Sequence, residues 1–473
     1  MILFKLINNF SVKEFIEFEK FIKSPFFNSS ERLIKLFYYL KKFYPSIDDE
    51  ILNNQKIYEK VFPGKKFDDL NFRKLVSDFN KIIEKFLIQK QLDKNSYFKN
   101  ILLSESLKES GDKEVFNKIS SKILSELENK FNKDFVYYYS RFHLENDIYY
   151  TNFDSYKPGI PKILKQKARD IDLLFSFMKL SSFSEVLTID KAIGKDSGFD
   201  FSFFDSISNF ISKNIYDIKK NHPNLYMIYL RVMLYKDKSP ENIIKELLNY
   251  LKTKKSKFSK EQLNFYYSYV SSYYWEKYST GNMDVMKDIY NIYDKMIKSD
   301  SLILYKKVFE SDFHSLVLTG LFLEKYNWLE NIIYKYGSYL DKDIRKDVVN
   351  LSLARLYFRK KDFEKAISLA SKVKTVNAKY YVNVNFIIAK SFFELKDFDS
   401  IYYILDNLNH YKIRSKEINK VLADSIKIFV FYMTRLIKFY NNNDKNALDE
   451  IKIFIKKETR FIPDKKWLLE KIQ

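Results

Sequence analysis

Four histidines, His143, His222, His314 and His410, are the only imidazoles in the chain. Imidazole is the usual group for metal ligation and for proton transfer near neutral pH. None of the four stands within metal-ligand spacing of another, and no HExxH pair occurs. Each therefore reads as a surface or half-buried residue and not as a ligand. Carboxylates gather at Asp48, Asp49 and Glu50, a grouping that acid–base chemistry would need. They read better as polar residues leading into a helix. No phosphate loop, dinucleotide fingerprint, GxSxG turn or calcium loop is present. The densest basic run is Lys252, Lys254, Lys255, Lys257 and Lys260, and a second cluster holds Lys456, Lys457 and Arg460. The first falls between two expected helices and reads as a solvated loop rather than a phosphate patch. The second is placed to give the fold a polar end. No enzyme activity, cofactor or metal is expected.

The wider composition points the same way. The 473 residues are 46% hydrophobic, which excludes wholesale disorder. Gly and Pro number only 8 each. All-β folds need more turn residues, and α/β phosphate sites need glycine-rich loops. Long helices joined by short polar loops fit, with the 37 Tyr and 44 Phe in their core. The absence of Cys excludes disulfides, thiolate metal sites and cysteine nucleophiles. Residues 1–10 lack the apolar core and cleavage site of a signal peptide. The best apolar stretch, Ile428 to Thr434, is too short to span a bilayer. A cytoplasmic protein is expected. The formal charge of +21 would suit a polyanion partner. Only 11 of the 82 basic residues are Arg, however, and phosphate recognition favours the Arg fork. Abundant Lys, Asn, Ile, Tyr and Phe instead match A/T-rich coding.

The elements that must position any site fall into three stretches. Residues 1–95 read as a compact helical module. Ser11 and Glu14 form a capping box before a helix over Val12 to Ile22, with Phe15, Ile16, Phe18 and Ile22 as its apolar stripe. Ser24-Pro25 stops it. Helices follow over Glu31 to Phe43, Gln55 to Phe62 and Asp69 to Lys90. The last buries Phe72, Leu75, Val76, Phe79, Ile82, Ile83 and Phe86. Lys94, Asn95 and Ser96 read as a linker. Residues 96–300 continue as irregular helical hairpins. Loops are expected at Pro158-Gly159 with Pro161 and at Gly194 to Gly198. New helices are expected at His222-Pro223, at Ser239-Pro240 and at the Ser259/Gln262 capping box. Gln262 through Ile297 forms a hairpin turning at Thr280-Gly281-Asn282-Met283.

Residues 301–473 carry an internal period. Trp328, Phe363 and Phe398 stand 35 positions apart, and each follows Asn327, Asp362 or Asp397. Thr319, Ala354 and Ala389 keep the interval, as do Phe322, Tyr357 and Phe392. A period of this length means stacked helical hairpins. In each, a small residue lets helix B approach helix A. The Asp accepts from free N–H groups opening helix B. The following aromatic packs back on helix A, and Ala366, Ala370 and Val373 line the inner face of helix B.

On these residues the chain resembles the tetratricopeptide repeat family. Leu351 to Val373 matches closely and Phe386 to Leu408 matches well; Thr319 to Tyr334 matches loosely. The two firm repeats cover under a fifth of the chain. The resemblance implies an all-α, right-handed solenoid of stacked hairpins, with helix A lining a concave groove. Transferred residue by residue, the groove positions are Leu351, Arg355, Phe358 and Arg359 in one repeat and Phe386, Lys390 and Phe393 in the next. Arg355 and Lys390 would grip an acidic or C-terminal carboxylate peptide, with Phe358 and Phe393 as apolar contacts. Alternatively this face packs on the chain's own N-terminal module. The expected function is a non-catalytic scaffold binding a protein or peptide partner.

A second expectation concerns nucleic acid. The segment Lys56 to Leu87 resembles a winged-helix portion of certain bacterial transcription activators, which also couple DNA reading to helical repeats. Arg73, Lys74, Lys81 and Lys85 would then face a groove. Against this, no pair of strands for a wing is evident, and Asp68, Asp69 and Asp78 would face phosphates.

Overall fold

The computed structural model describes residues 4–47, 53–131, 133–153, 160–193, 197–236, 239–374, 378–415, 417–460 and 462–473. The Asp48–Glu50 cluster and Pro158-Gly159 lie outside the described residues. Among the described residues the fold is all-α, without strands, and the one extended pairing is an isolated bridge between Leu304 and Lys307. No described helix is long and apolar enough to cross a membrane. The chain forms two compact units, residues 1–232 and 233–473.

In the first unit, α1 (Phe4–Ile7), α2 (Val12–Lys23), α3 (Glu31–Lys41), α4 (Asn54–Val61) and α5 (Asp69–Lys94) share one core. Ser11 and Glu14 close the capping box of α2, each satisfying an N–H that the helix cannot. Phe15, Phe18 and Ile22 point inward, as i, i+3 and i+7 must, but Ile16 is 49% exposed and Phe21 takes the remaining inward place. The apolar row of α5 is buried as its spacing predicts, with Val76 half-buried at its edge. Helix α5 runs to Lys94, and Asn95 alone separates it from α6 (Ser96–Glu109). The Asn95 side chain accepts from the Tyr97 and Phe98 amides, so one residue both ends a helix and caps the next, where a three-residue linker was expected. Next come α7 (Lys113–Glu128), α8 (Phe135–Asn152) and α9 (Ile160–Ile193), with α8 packed on α6, α7 and α9. Pro161 sits in the first turn of α9, not in a loop, because that position needs no N–H donor. The unit closes with α10 (Phe204–Lys213), α11 (Ile215–Asn221) and most of α12 (Pro223–Lys236), whose last four residues are counted with the second unit.

The second unit contains α13 (Pro240–Lys254), α14 (Lys260–Ser279), α15 (Met286–Lys298), α16 (Glu310–Phe322), α17 (Tyr326–Gly337), α18 (Lys342–Arg359), α19 (Phe363–Ala370), α20 (Ala378–Glu394), α21 (Phe398–Arg414), α22 (Lys420–Asn442), α23 (Lys445–Lys457) and α24 (Lys465–Lys471). From α14 to α23 each helix packs on the next, and α16, α18, α20 and α22 also touch in series. The basic run is not a free loop. Lys252 and Lys254 end α13, Lys255 and Lys257 form a 3-10 turn, and Lys260 opens α14 and pairs with Asp300.

The hairpin logic holds for two repeats. Asp362 accepts from the Lys365 amide and Asp397 from the Ser400 amide. Phe363 returns to Phe358 at 5.6 Å between ring centres, and Phe398 to Phe393 at 5.9 Å. Ala354, Ala366, Ala370 and Ala389 are fully buried where the helices meet. The preceding hairpin is out of register. The left-handed residue that turns helix A into helix B is Glu324, then Lys361, then Lys396, at intervals of 37 and 35 residues. Helix α17 is capped at Lys325, so Asn327 lies inside it and is no cap. Tyr326, not Trp328, is the counterpart of Phe363. By the same shift Leu318, Leu321 and Phe322 occupy the places of Arg355, Phe358 and Arg359. Trp328 packs instead on Tyr290, 5.1 Å away, and closes on Gly320, where a Cβ would stand 3.1 Å from its ring.

Candidate functional site

The inward faces of α16, α18 and α20 meet around a cavity of about 510 Å³ within the second unit. The register just described sets its wall. Leu318, Leu321 and Phe322 give one apolar side, α18 gives Arg355, Phe358 and Arg359, and α20 gives Phe386 and Lys390. Five of the seven groove residues expected from the sequence thus line one space. Leu351 and Phe393 do not; both are core side chains, 4% and 5% exposed.

The apolar members are less available than expected. Phe386 stacks on Phe429 with centroids 3.9 Å apart, and Phe358 and Phe393 are both covered by Trp467, at 6.5 and 5.5 Å. Trp467 belongs to segment 462–473, which forms part of the cavity wall with Pro463, Asp464 and Lys466. Sequence reasoning missed this segment. Its only local signal is the apolar pair Trp467-Leu468 just after Pro463, since its contacts reach back 31 residues to α22 and 73 or more to α18 and α20.

The two cations of the expected grip differ sharply. Lys390 is 4% exposed, and its ammonium lies 2.7 Å from the Asp464 carboxylate and 4.6 Å from the Phe358 ring centre. Burial pushes its pKa down, against the pull of Asp464. Arg359 has more distant partners, Glu324 at 3.6 Å and Glu470 at 3.9 Å. Arg355 donates to the Asn383 amide oxygen at 2.7 Å and approaches the His314 ring at 3.4 Å. Burial lowers His314 to about 3, so it is neutral at physiological pH and brings no negative charge. Burial also lowers Arg355, yet a guanidinium stays protonated throughout the physiological range. Among the described residues Arg355 has no carboxylate within ion-pair distance, although Asp464 on the same cavity wall acts on it from farther off and opposes the effect of burial. The cavity therefore presents a charged donor, already oriented by an amide, beside an apolar wall. That arrangement suits an anionic group carried on an apolar body.

The remaining candidates lie apart. Arg73, Lys74, Lys81 and Lys85 share the exposed side of α5. Two of the four are balanced on the same helix, Arg73 by Asp69 at 2.8 Å and Lys81 by Asp78 at 3.2 Å. The histidines stay separate: His222 is buried and bonded to the Tyr138 hydroxyl at 2.9 Å, His143 lies near Glu105 and Asp147, and His410 is exposed beside Asp406. Among the described residues no three potential ligands come together to hold a metal.

One charged cluster had gone unread in the sequence. In the first unit the Arg141 guanidinium meets Asp170 at 2.7 Å, Glu145 at 3.2 Å and Glu128 at 3.2 Å. Asp170 and Glu145 are 2% and 4% exposed. Burial, reinforced by the Asp170 carboxylate, pushes Glu145 up to about 8. The i, i+4 pair Arg141/Glu145 on a Tyr-rich helix was its only sequence trace. Compared with protein-family models, curated proteins and solved structures, the chain matches none, and the site's own geometry carries the functional reading.

Proposed function

We propose that the second unit is a tetratricopeptide-like, right-handed solenoid of hairpins that binds a segment of a protein partner without performing chemistry. The cavity at α16, α18 and α20 is the seat. The observation that carries this reading is Arg355, a half-buried cation aimed into a cavity, hydrogen-bonded only to neutral groups and drawn to Asp464 without forming an ion pair. A buried charge is costly unless paired, and a partner carboxylate would supply the pairing. The apolar wall from Leu318 to Phe322 would take a large side chain next to that carboxylate. Lys390 is not a second free donor in this scheme, because Asp464 already holds it.

The test is a titration of the full chain with short synthetic peptides rich in Asp and Glu and carrying one Phe or Trp, read by fluorescence anisotropy. Lys-rich counterparts serve as the contrast. Saturable binding of the acidic set, weakened about tenfold or more by Arg355→Met, is expected; tenfold corresponds to about 1.4 kcal/mol. No binding by any acidic peptide, or equal binding by a folded Arg355→Met chain, removes the reading.

A further inference from the structure

Four of the seven groove positions that the sequence singled out for a partner, Phe358, Arg359, Lys390 and Phe393, are met by segment 462–473. Asp464 gives Lys390 its carboxylate at 2.7 Å. Glu470 stands 3.9 Å from Arg359. Trp467 covers both Phe358 and Phe393, and the Lys390 ammonium sits 5.9 Å from the indole centre. Of the three groove cations only Arg355 makes no ion pair with this segment. We propose that this segment is a built-in occupant of one end of the groove, standing in for part of the partner, and that a partner landing on Arg355 displaces it. The inference rests on the groove reading above and specifies the partner's chemistry: an acidic residue and, three positions on, an aromatic, the spacing of Asp464 and Trp467.

The segment is anchored by Ile462, Trp467 and Leu468 in the unit's core and by the Tyr432 hydroxyl donating to the Pro463 carbonyl, and its other features suit an exchangeable occupant. Helix α24 has seven residues, too few to persist on its own, so its order comes from the groove. Asp464 holds a left-handed backbone at φ 50°, which a non-glycine residue adopts at some cost, and its side chain makes no cap bond to α24. The rim attachments are polar and replaceable: Lys466 to Glu324 at 2.7 Å, Lys471 to Glu394 at 2.7 Å, and the Trp467 indole N–H to Glu394 at 2.6 Å. A competitor with the same two anchors needs no new pocket. It meets Arg355 first, then the slot that Trp467 leaves.

The experiment uses the full chain and its Asp464→Asn variant. Asn accepts left-handed backbone readily, so this change removes the charge and keeps the turn. The probe is a fluorescein-labelled synthetic peptide with the sequence of residues 462–473. Binding is read by anisotropy, and opening by hydrogen exchange of the 465–471 amides against those of α22. The variant is expected to bind the probe about tenfold more tightly than the wild type and to exchange its 465–471 amides about tenfold faster, with α22 unchanged. Saturating acidic peptide should likewise speed 465–471 exchange in the wild type. Two results overturn the proposal: 465–471 amides as protected as α22 in both chains, or open amides with no gain in probe binding. If acidic peptides bind through Arg355 while 465–471 exchange stays fixed, this inference falls and the groove reading stands. If no acidic peptide binds either chain, both fall.

Discussion

Arg141 in the first unit and Arg355 in the second are both guanidinium groups held on helices and drawn away from bulk water, and their surroundings are opposite. Three carboxylates converge on Arg141, and one of them, Glu145, retains its proton to about pH 8. Arg355 has an amide oxygen and a neutral imidazole. Desolvating an ion costs several kcal/mol, which only well-placed opposite charge returns. The first arginine has that charge inside its own unit and is complete. The second has only Asp464, beyond ion-pair distance and already paired with Lys390, and lies on a cavity wall. The same residue type is internal architecture in one place and, on the function proposed above, a receptive point in the other, and only the three-dimensional neighbours distinguish them.

Arg141→Met should give the largest effect. It leaves the Asp170 carboxylate buried without a counterion and Glu145 without its hydrogen-bond donor, and a loss of about 3–5 kcal/mol is expected, read as a lowered urea midpoint of the first unit. An unchanged midpoint would erase the contrast. Next comes pH. Folded Glu145 keeps its proton to about 8, whereas an unfolded Glu releases it near 4.5. In that window the folded state binds more protons, so this group's contribution to stability falls as pH rises. Wild type minus Glu145→Gln, in unfolding free energy from pH 5 to pH 8, should show that downward slope; a flat difference would contradict it. Lys390→Met is expected to cost less, about 1–2 kcal/mol, because the Asp464 it strands is partly open to water. Arg355→Met should change stability by less than about 1 kcal/mol, or raise it, since it removes a charge that no carboxylate holds at ion-pair distance. A loss as large as that of Arg141→Met would show that Arg355 is structural after all.

Much of the fold was legible because its signals are local. The Ser11/Glu14 and Ser259/Gln262 boxes, the stop at Ser24-Pro25 and the caps at Asp362 and Asp397 are written in three or four neighbouring residues. Trp328 misled for the complementary reason: an aromatic after Asn at the expected interval mimics the pattern, while the turn residue Glu324 sets the true register two positions earlier. Lys94–Ser96 looked like a linker because polar composition does not reveal that Asn95 serves two helices. At the candidate site the cationic positions Arg355 and Lys390 were visible through the repeat. Their pairing states were not, because Asp464 and His314 reach them from other helices, and no local pattern encodes such meetings.

The offset of the α16–α17 hairpin leaves the cavity wall uneven. Equivalent places along it hold Leu318, then Arg355, then Lys390. Such a ladder has a polarity. An extended guest with an oily head and an acidic tail matches it when threaded one way and mismatches it when reversed, so the seat would read orientation as well as composition.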